Sequence, residues 1–310
     1  MMKVLVAGAT GGIGYALVQQ LTKQNIEVVA FARGADKLQS MFGHNTLVTC
    51  VAGDVLNVQN LLDACVGIDT MIHAVSFPYQ QWNETHIPCL VNMLEAAKIS
   101  GSKFIFADNI YAYGKQPQAV VEDIIKMPHT KKGKLRLQME MLVQESGIPY
   151  LIAHVPDVFG PNAKNTILYG TLQGAVQNKA AYFVGRTNVT REFAYTIDVA
   201  ESIVTLALNP TSFNQHWNIP GCLKVTGEEL AELLQQLVGY RPKIRVATST
   251  HVAFLALFSS FMREQKEMMY LTETPVILNS AKLEKALGTL PYTNRMESLR
   301  VTMDWIKKNA

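Results

Sequence analysis

Lys132 and Arg136 stand four residues apart in the stretch TKKGKLRLQME. In a helix that spacing puts both side chains on one face. An ammonium can give a proton to a developing alkoxide, and a lysine in a buried, cationic setting can take one. Arginine keeps its proton in proteins, so Arg136 can bind a hydroxyl or an anion but cannot relay a proton. The competing reading makes both residues surface charges, with Arg136 pairing Glu140 one turn on.

Upstream, FIFADNIYAYG offers Asn109, Tyr111 and Tyr113 after an apolar run. An Asn amide can polarise a carbonyl oxygen as an oxyanion contact does, or simply order the loop. A tyrosine there can carry a proton or pack as an aromatic. The proton matters, because hydride delivery to a carbonyl leaves an alkoxide. At about 1.4 kcal/mol per pKa unit, an unassisted alkoxide near neutral pH costs on the order of ten kcal/mol.

The other chemical stretch is VLVAGATGGIG, where Gly8, Gly11 and Gly14 recur every third residue between a strand and a helix. Glycines suit a tight turn that a dinucleotide pyrophosphate approaches closely, with its phosphates on the helix N-terminus. The backbone of Thr10, Gly11, Gly12 and Ile13 forms that approach. An acidic residue at the end of the second strand would hold ribose hydroxyls and favour NAD, whereas EVVAFARGADKL carries Arg33 there, with Lys37 a turn later. NADP(H) is favoured and NAD(H) remains open, Arg33 being otherwise a solvated strand-end charge. At the third strand exit Asp54 either accepts from an adenine amino group or caps the next helix. Val55 beside it and Ala74 after the fourth strand complete the expected cofactor contacts.

These residues need a scaffold, and the first half supplies one in KVLVAGA, EVVAFAR, TLVTCVAGD, DTMIHAVS, KFIFADN and PYLIAHV, near-continuous apolar runs separated by amphipathic stretches. Such alternation predicts an α/β Rossmann-type, doubly wound parallel sheet covered on both faces. After DVFGPN the rhythm breaks. The expected division is a dinucleotide-binding domain over 1–160, with a return at about 190–215, and a smaller interleaved C-terminal substrate lobe over 161–310. HVAFLALFSSFM, residues 251–262, is too short to span a bilayer and reads as a buried helix.

The chain has 310 residues and a net charge of +3 with no long basic run, which argues against nucleic acid. Its N-terminus passes directly into the first strand, so a cytoplasmic, non-membrane protein is expected. Cys50, Cys65, Cys89 and Cys222 form no CxxC pair, and the seven histidines are scattered. No metal site follows from their spacing.

The whole chain resembles the extended short-chain dehydrogenase/reductases of the NAD-dependent epimerase/dehydratase kind. VAGATGGIG is similar to that family's glycine loop, and VNMLEAAKISGSKFIFADNIYAYG to its helix and fifth strand. HVPDVFGP, REFAYTIDVAESIV and WNIPGCLKVTGEELAELLQQLVG resemble its later segments. The resemblance implies a YxxxK helix, in which tyrosine moves a proton and lysine holds the nicotinamide ribose, and an upstream serine or threonine. Alignment puts Lys132 at the tyrosine, Arg136 at the lysine, Glu140 at the following glutamate and Asn109 at the upstream hydroxyl.

The motif is therefore KxxxR. Lys132, Tyr111, Asn109 and Arg136 are the candidate catalytic set, with Arg136 also a candidate cofactor contact. Tyr113 and Arg191 are candidate substrate contacts, with Arg186 a further cation nearby. Met262, Met268, Met269, Phe258, Phe261 and Tyr270 form either an adaptable apolar pocket or core. Two functions stay open: an oxidoreductase or epimerase acting on a small carbonyl or hydroxyl compound, sugar derivatives included, and a non-catalytic NADP(H)-binding sensor. Either fits a monomer or a homodimer.

Overall fold

The six apolar runs of the first half all become strands in the computed structural model, which describes residues 2–257 and 260–309, without the side chains of Leu255, Ser260 and Phe261. In chain order the elements begin β1 Lys3–Ala7, α1 Gly12–Lys23, β2 Glu27–Ala32, α2 Ala35–Phe42, β3 Val48–Ala52, α3 Val58–Ala64 and β4 Thr70–His73. They continue with α4 Trp82–Ser100, β5 Lys103–Asn109, α5 Lys131–Glu145, β6 Tyr150–Val155, β7 Asp157–Phe159, α6 Tyr169–Val176, β8 Ala181–Val184 and β9 Arg191–Tyr195. The remainder is α7 Thr196–Leu208, β10 Gln215–Asn218, β11 Leu223–Val225, α8 Gly227–Val238, β12 Ile244–Ala247, α9 Ser249–Leu255, α10 Ser260–Lys266, α11 Ala281–Leu287 and α12 Arg295–Lys308.

The chain divides into two compact units. Unit 1 comprises residues 1–109, 135–154 and 199–217. Its sheet runs β3-β2-β1-β4-β5-β6-β10, and β1 pairs in parallel with both β2 and β4. The strand order reverses direction between β1 and β4, and such a switch point opens a crevice at the C-terminal ends of the strands. Strand residues such as Leu5, Val6, Phe31, Ile72, Phe104 and Phe106 are fully or almost fully buried, as a sheet covered on both faces requires.

Unit 2 comprises residues 110–134, 155–198 and 218–310. A three-stranded sheet β11-β9-β7 and a pair β12-β8 pack with α6, α8 and α12. The core there is built from Phe159, Leu172, Phe183, Phe193, Leu230 and Leu299. From the sequence a boundary near 160 with a return at about 190–215 was expected; the chain groups 199–217 with unit 1, and residues 110–134, placed in the first domain from sequence, group with unit 2. In the stretch 251–262, expected to be one buried helix, α9 ends at Leu255 and α10 begins at Ser260, with Phe254 and Leu257 exposed, while residues 258 and 259 lie outside the described residues. Of the methionine and aromatic stripe, Met268, Met269 and Tyr270 are buried, whereas Phe258 and the Phe261 side chain lie outside the described residues.

Candidate active site

At the exit of β1 the chain turns sharply through Gly8, whose φ of +84° lies in the region that favours glycine. A Cβ on Gly8 would sit 2.5 Å from the Ala74 carbonyl oxygen, and one on Gly14 would meet the Gly8 carbonyl oxygen at 2.2 Å. The turn thus packs backbone on backbone against the start of α1 and the exit of β4. The Gly8 N–H donates to Phe31 O at 3.0 Å, tying the turn to β2, and the Lys37 ammonium donates to Thr10 O at 3.2 Å. No side chain caps the N-terminus of α1, and no acidic residue stands in its first turn. A bare helix start with a positive end is what a pyrophosphate needs. Arg33 is exposed just after β2, with no hydrogen bond or ion pair among the described residues.

Asp54 does not cap α3; Asn57 does, accepting from the Gln59 N–H. Asp54 instead accepts from Leu56 N–H at 3.0 Å in a short turn, and its own N–H donates to Asn60 Oδ1. Val55 is buried beside it, its carbonyl accepting from Asn92 Nδ2 at 3.1 Å. The strand exit is thereby held by side chains of α3 and α4. A shallow hollow of about 760 Å³ bordered by Asp69, Thr70 and Lys103 lies at the opposite, N-terminal ends of β4 and β5, away from this turn.

Helix α5 carries three buried charges in one stripe: Lys132, Arg136 and Glu140 are 2%, 5% and 2% exposed. Charged side chains this buried need partners. Arg136 donates from Nη1 to Asp108 Oδ1 at 3.0 Å and reaches His86 Nε2 at 3.4 Å. Its guanidinium lies 4.5 Å from the centre of the Trp82 ring, a cation–π arrangement. Burial and the Arg136 charge lower the pKa of His86, and the same two causes lower that of His73 to about 3. A neutral His86 can offer a lone pair to Arg136. The surface pairing of Arg136 with Glu140 weighed from sequence does not form; Glu140 faces His154 and His216. Asn109 follows Asp108 on β5 and donates its N–H to the Asp108 carboxylate at 2.8 Å.

Within unit 2, the Lys132 ammonium donates to Glu264 Oε2 at 2.5 Å and to Glu267 Oε1 at 2.9 Å. Glu267 also accepts from the backbone N–H groups of Lys131 and Lys132, each at 3.2 Å. A carboxylate from a distant segment thus satisfies two of the orphan donors of the α5 N-terminus, and the Thr130 hydroxyl accepts from a third, the Gly133 N–H. Tyr113 is fully buried and its hydroxyl donates to Asn218 Oδ1 at 2.6 Å. Arg191, also buried, pairs Asp157 at 2.8 Å, donates to Val184 O and lies over the Phe193 ring. These partners engage the two side chains expected to touch substrate within unit 2. Tyr111 is 9% exposed, and Arg186 is exposed.

Sequence reasoning missed Trp82, His86, Asp108, Glu264 and Glu267 as partners of the KxxxR helix. The i, i+4, i+8 run of Lys132, Arg136 and Glu140 puts three charges on one helix face, but only their burial in the structure shows that partners must exist.

With this geometry in view, comparison with known proteins is decisive for the family: the profile of the NAD dependent epimerase/dehydratase family matches residues 4–220. The chain belongs to that family. A protein of Bacillus subtilis (strain 168) described as an uncharacterized UDP-glucose epimerase is 24% identical, covering 77% of this chain and 83% of that protein. A UDP-N-acetyl-alpha-D-glucosaminuronate decarboxylase of Bacillus cytotoxicus is 22% identical over 99% of this chain and 98% of its own length. Among solved structures, the UDP-glucuronic acid 4-epimerase of Bacillus cereus in complex with NAD superposes with a TM-score of 0.79 at 23% identity, over 99% of each chain. The dTDP-glucose 4,6-dehydratase of Bacillus anthracis str. Ames in complex with NAD gives 0.82 at 17% identity, covering 100% of this chain and 97% of that one. These likenesses establish the shared fold. Epimerase/dehydratase family members with a Rossmann-type sheet therefore frame this chain, whose KxxxR helix departs from the expected YxxxK.

Proposed function

We propose that the protein binds a nicotinamide dinucleotide on its glycine turn and acts on a small hydroxyl or carbonyl compound of the nucleotide-sugar kind named for its relatives, with Lys132 in the tyrosine's place. The observation that carries this reading is the glycine turn itself: Gly8 and Gly14 lie too close to neighbouring backbone for any Cβ, and the helix behind them starts without a cap. That arrangement fits a pyrophosphate on the amides of residues 10–13, with the adenosine end toward Asp54 and Val55 and Ala74 flanking the exit of β4. Arg33 and Lys37 favour the extra phosphate of NADP(H), even though the solved relatives hold NAD.

A bound nicotinamide accepts or delivers a hydride. The chain's own residues must manage the proton. The Lys132 ammonium, which donates to Glu264 and Glu267, stands at the tyrosine's position and would give a proton to a substrate oxygen, with those carboxylates holding it in its charged form. The Glu264 side chain is 38% exposed, so it can exchange protons with water on Lys132's behalf. Asn109 supplies an amide for a carbonyl oxygen, and Arg136 orients β5 against α5 by holding Asp108.

A second reading, a dinucleotide sensor without turnover, is favoured by one observation: Lys132 and Arg136, which replace the expected tyrosine and lysine, both have ion-pair partners. One experiment separates the two. Purified protein is titrated with NADP(H) and NAD(H), then followed for nicotinamide absorbance and sugar products across a panel of nucleotide sugars. The enzyme reading expects turnover that Lys132→Met abolishes while dinucleotide affinity persists. Turnover unaffected by Lys132→Met removes Lys132 as the acid, and binding without turnover favours the sensor. Arg33→Asp should shift preference from NADP toward NAD; an unchanged ratio refutes the phosphate contact.

A further inference from the structure

The histidines that are scattered in sequence do not all remain so in space. His154 on β6 and His216 on β10 meet Glu140 of α5 inside unit 1, and one potential ligand atom from each lies within 4.8 Å of the others. His154 Nε2 and His216 Nδ1 are 3.1 Å apart, and the Glu140 carboxylate oxygens lie 3.7 Å from His216 Nδ1 and 3.9 Å from His154 Nδ1. Zinc bonds of 2.0–2.1 Å in a tetrahedral arrangement place neighbouring ligand atoms about 3.3 Å apart. With His154 ligating through Nε2, the two edges at His216 Nδ1, 3.1 and 3.7 Å, bracket that edge length, and the third lies within 4.8 Å, so side-chain rotations bring three ligands onto one ion; the 3.9 Å contact is to the other nitrogen of His154.

The setting favours an ion as well as the distances do. Glu140 is 2% exposed and His154 is fully buried, while the His216 side chain keeps 16% of its surface open and gives an entry path. Two imidazole nitrogens at 3.1 Å cannot both present lone pairs to each other without a proton or a cation between them. Gln144, one turn beyond Glu140 on α5, lies with its amide nitrogen 2.9 Å from His216 Nε2, and the nitrogen and oxygen of an amide exchange by a flip. With the amide flipped so that its oxygen accepts from that nitrogen, the His216 proton sits on Nε2 and the Nδ1 lone pair faces the His154 and Glu140 side of the cluster, the outer-shell arrangement common at metal-bound histidines. The ligands come from a helix and two neighbouring strands, elements rigid enough to hold a geometry.

We propose that Glu140, His154 and His216 form a site for one divalent transition-metal ion, zinc by the chemistry of a two-histidine, one-carboxylate set. The ion joins α5 to the edge of the unit 1 sheet, and water fills its fourth position. The inference is independent of the proposed dinucleotide chemistry.

The test uses the full chain, stripped with a chelator and titrated with Zn²⁺ by calorimetry and with Co²⁺ by visible absorption. One equivalent should bind, with cobalt giving the absorption of a tetrahedral site. Glu140→Gln and His216→Gln should each weaken binding by at least roughly 10–100-fold, judged from what even outer-shell changes cost. A measurement on the unaltered chain guards against a variant that fails to fold: Co²⁺ should broaden the imidazole NMR signals of His154 and His216 at one equivalent, before those of the exposed His44 and His251. Absence of saturable binding overturns the proposal, as does equal affinity in both folded variants. Imidazole signals that respond to pH but not to metal would assign the cluster to a shared proton and equally overturn it.

Discussion

Replacing Arg136 with methionine tests whether the family's lysine position has become a structural ion pair. The perturbation keeps a long apolar side chain against Trp82 but removes the charge opposite Asp108, whose side chain has no exposure. Breaking a buried pair by removing one partner leaves an uncompensated charge and costs about 3–5 kcal/mol. The guanidinium face over Trp82, at 4.5 Å, adds about 1 kcal/mol. Unit 1 holds about 150 residues, and for that size each kcal/mol moves the midpoint by about 2–4 °C, so a total of about 4–6 kcal/mol should make Arg136→Met lower it by roughly 8–24 °C. The assay is thermal unfolding of Arg136→Met, Asp108→Asn and the double variant. The double variant should recover a large part of the loss, because it buries no unpaired charge. A shift below about 2 °C for Arg136→Met, or losses that simply add in the double variant, would refute the reasoning. A fall in dinucleotide affinity with an unchanged midpoint would instead make Arg136 a ligand contact.

Other perturbations read other parts of the structure. Gly14→Ala should abolish dinucleotide binding or unfold the turn, since the added carbon would stand 2.2 Å from the Gly8 carbonyl oxygen; wild-type affinity measured by titration would contradict the cradle. Burial, with the Arg136 charge second, holds His73 near a pKa of about 3 and also depresses that of His86. Both are neutral when folded and take up protons when unfolded below about pH 6.5, so stability falls as pH drops below that value, by about 1.4 kcal/mol per pH unit for each histidine. Denaturant midpoints that stay flat from pH 6.5 to 5 would rule this out, and His86→Gln should reduce the slope. Glu267→Gln removes a charge that serves two helix-start amides and Lys132; about 1–3 kcal/mol of lost stability is expected from hydrogen bonds to charged groups, and an unchanged chemical-denaturation midpoint would show that the contact contributes nothing.

The strands and the glycine turn were legible because their signals are local. Period, β-branching and Gly8, Gly11 and Gly14 all act within a few residues of one another. The same locality misled where a competing residue stood nearby. Asp54 is a good capping type, but Asn57, three residues on, begins the helix. In HVAFLALFSSFM the apolar run suggested one buried helix, yet Phe254 and Leu257 face solvent. Residues 110–134 gave no periodic signal at all, and their grouping with unit 2 rests on long-range pairings such as Tyr113 with Asn218 and the Val120 carbonyl with the Asn218 amide.

Helix α5 shows most directly why a motif alone could not assign chemistry. Its sequence places Lys132, Arg136 and Glu140 at successive turns, which reads equally as a solvated face or as a reacting one. The structure buries all three, and each is matched by residues remote in sequence: Lys132 by Glu264 and Glu267, Arg136 by Asp108 and His86, Glu140 by His154 and His216. A tyrosine at 132 would leave two carboxylates without their ammonium, and a lysine at 136 would lose the planar stacking on Trp82 and the fork that spans Asp108 and His86. The KxxxR helix therefore comes with its own set of partners. Restoring YxxxK by Lys132→Tyr and Arg136→Lys alone should not restore the expected active site, because the surrounding charges are arranged for the residues now present.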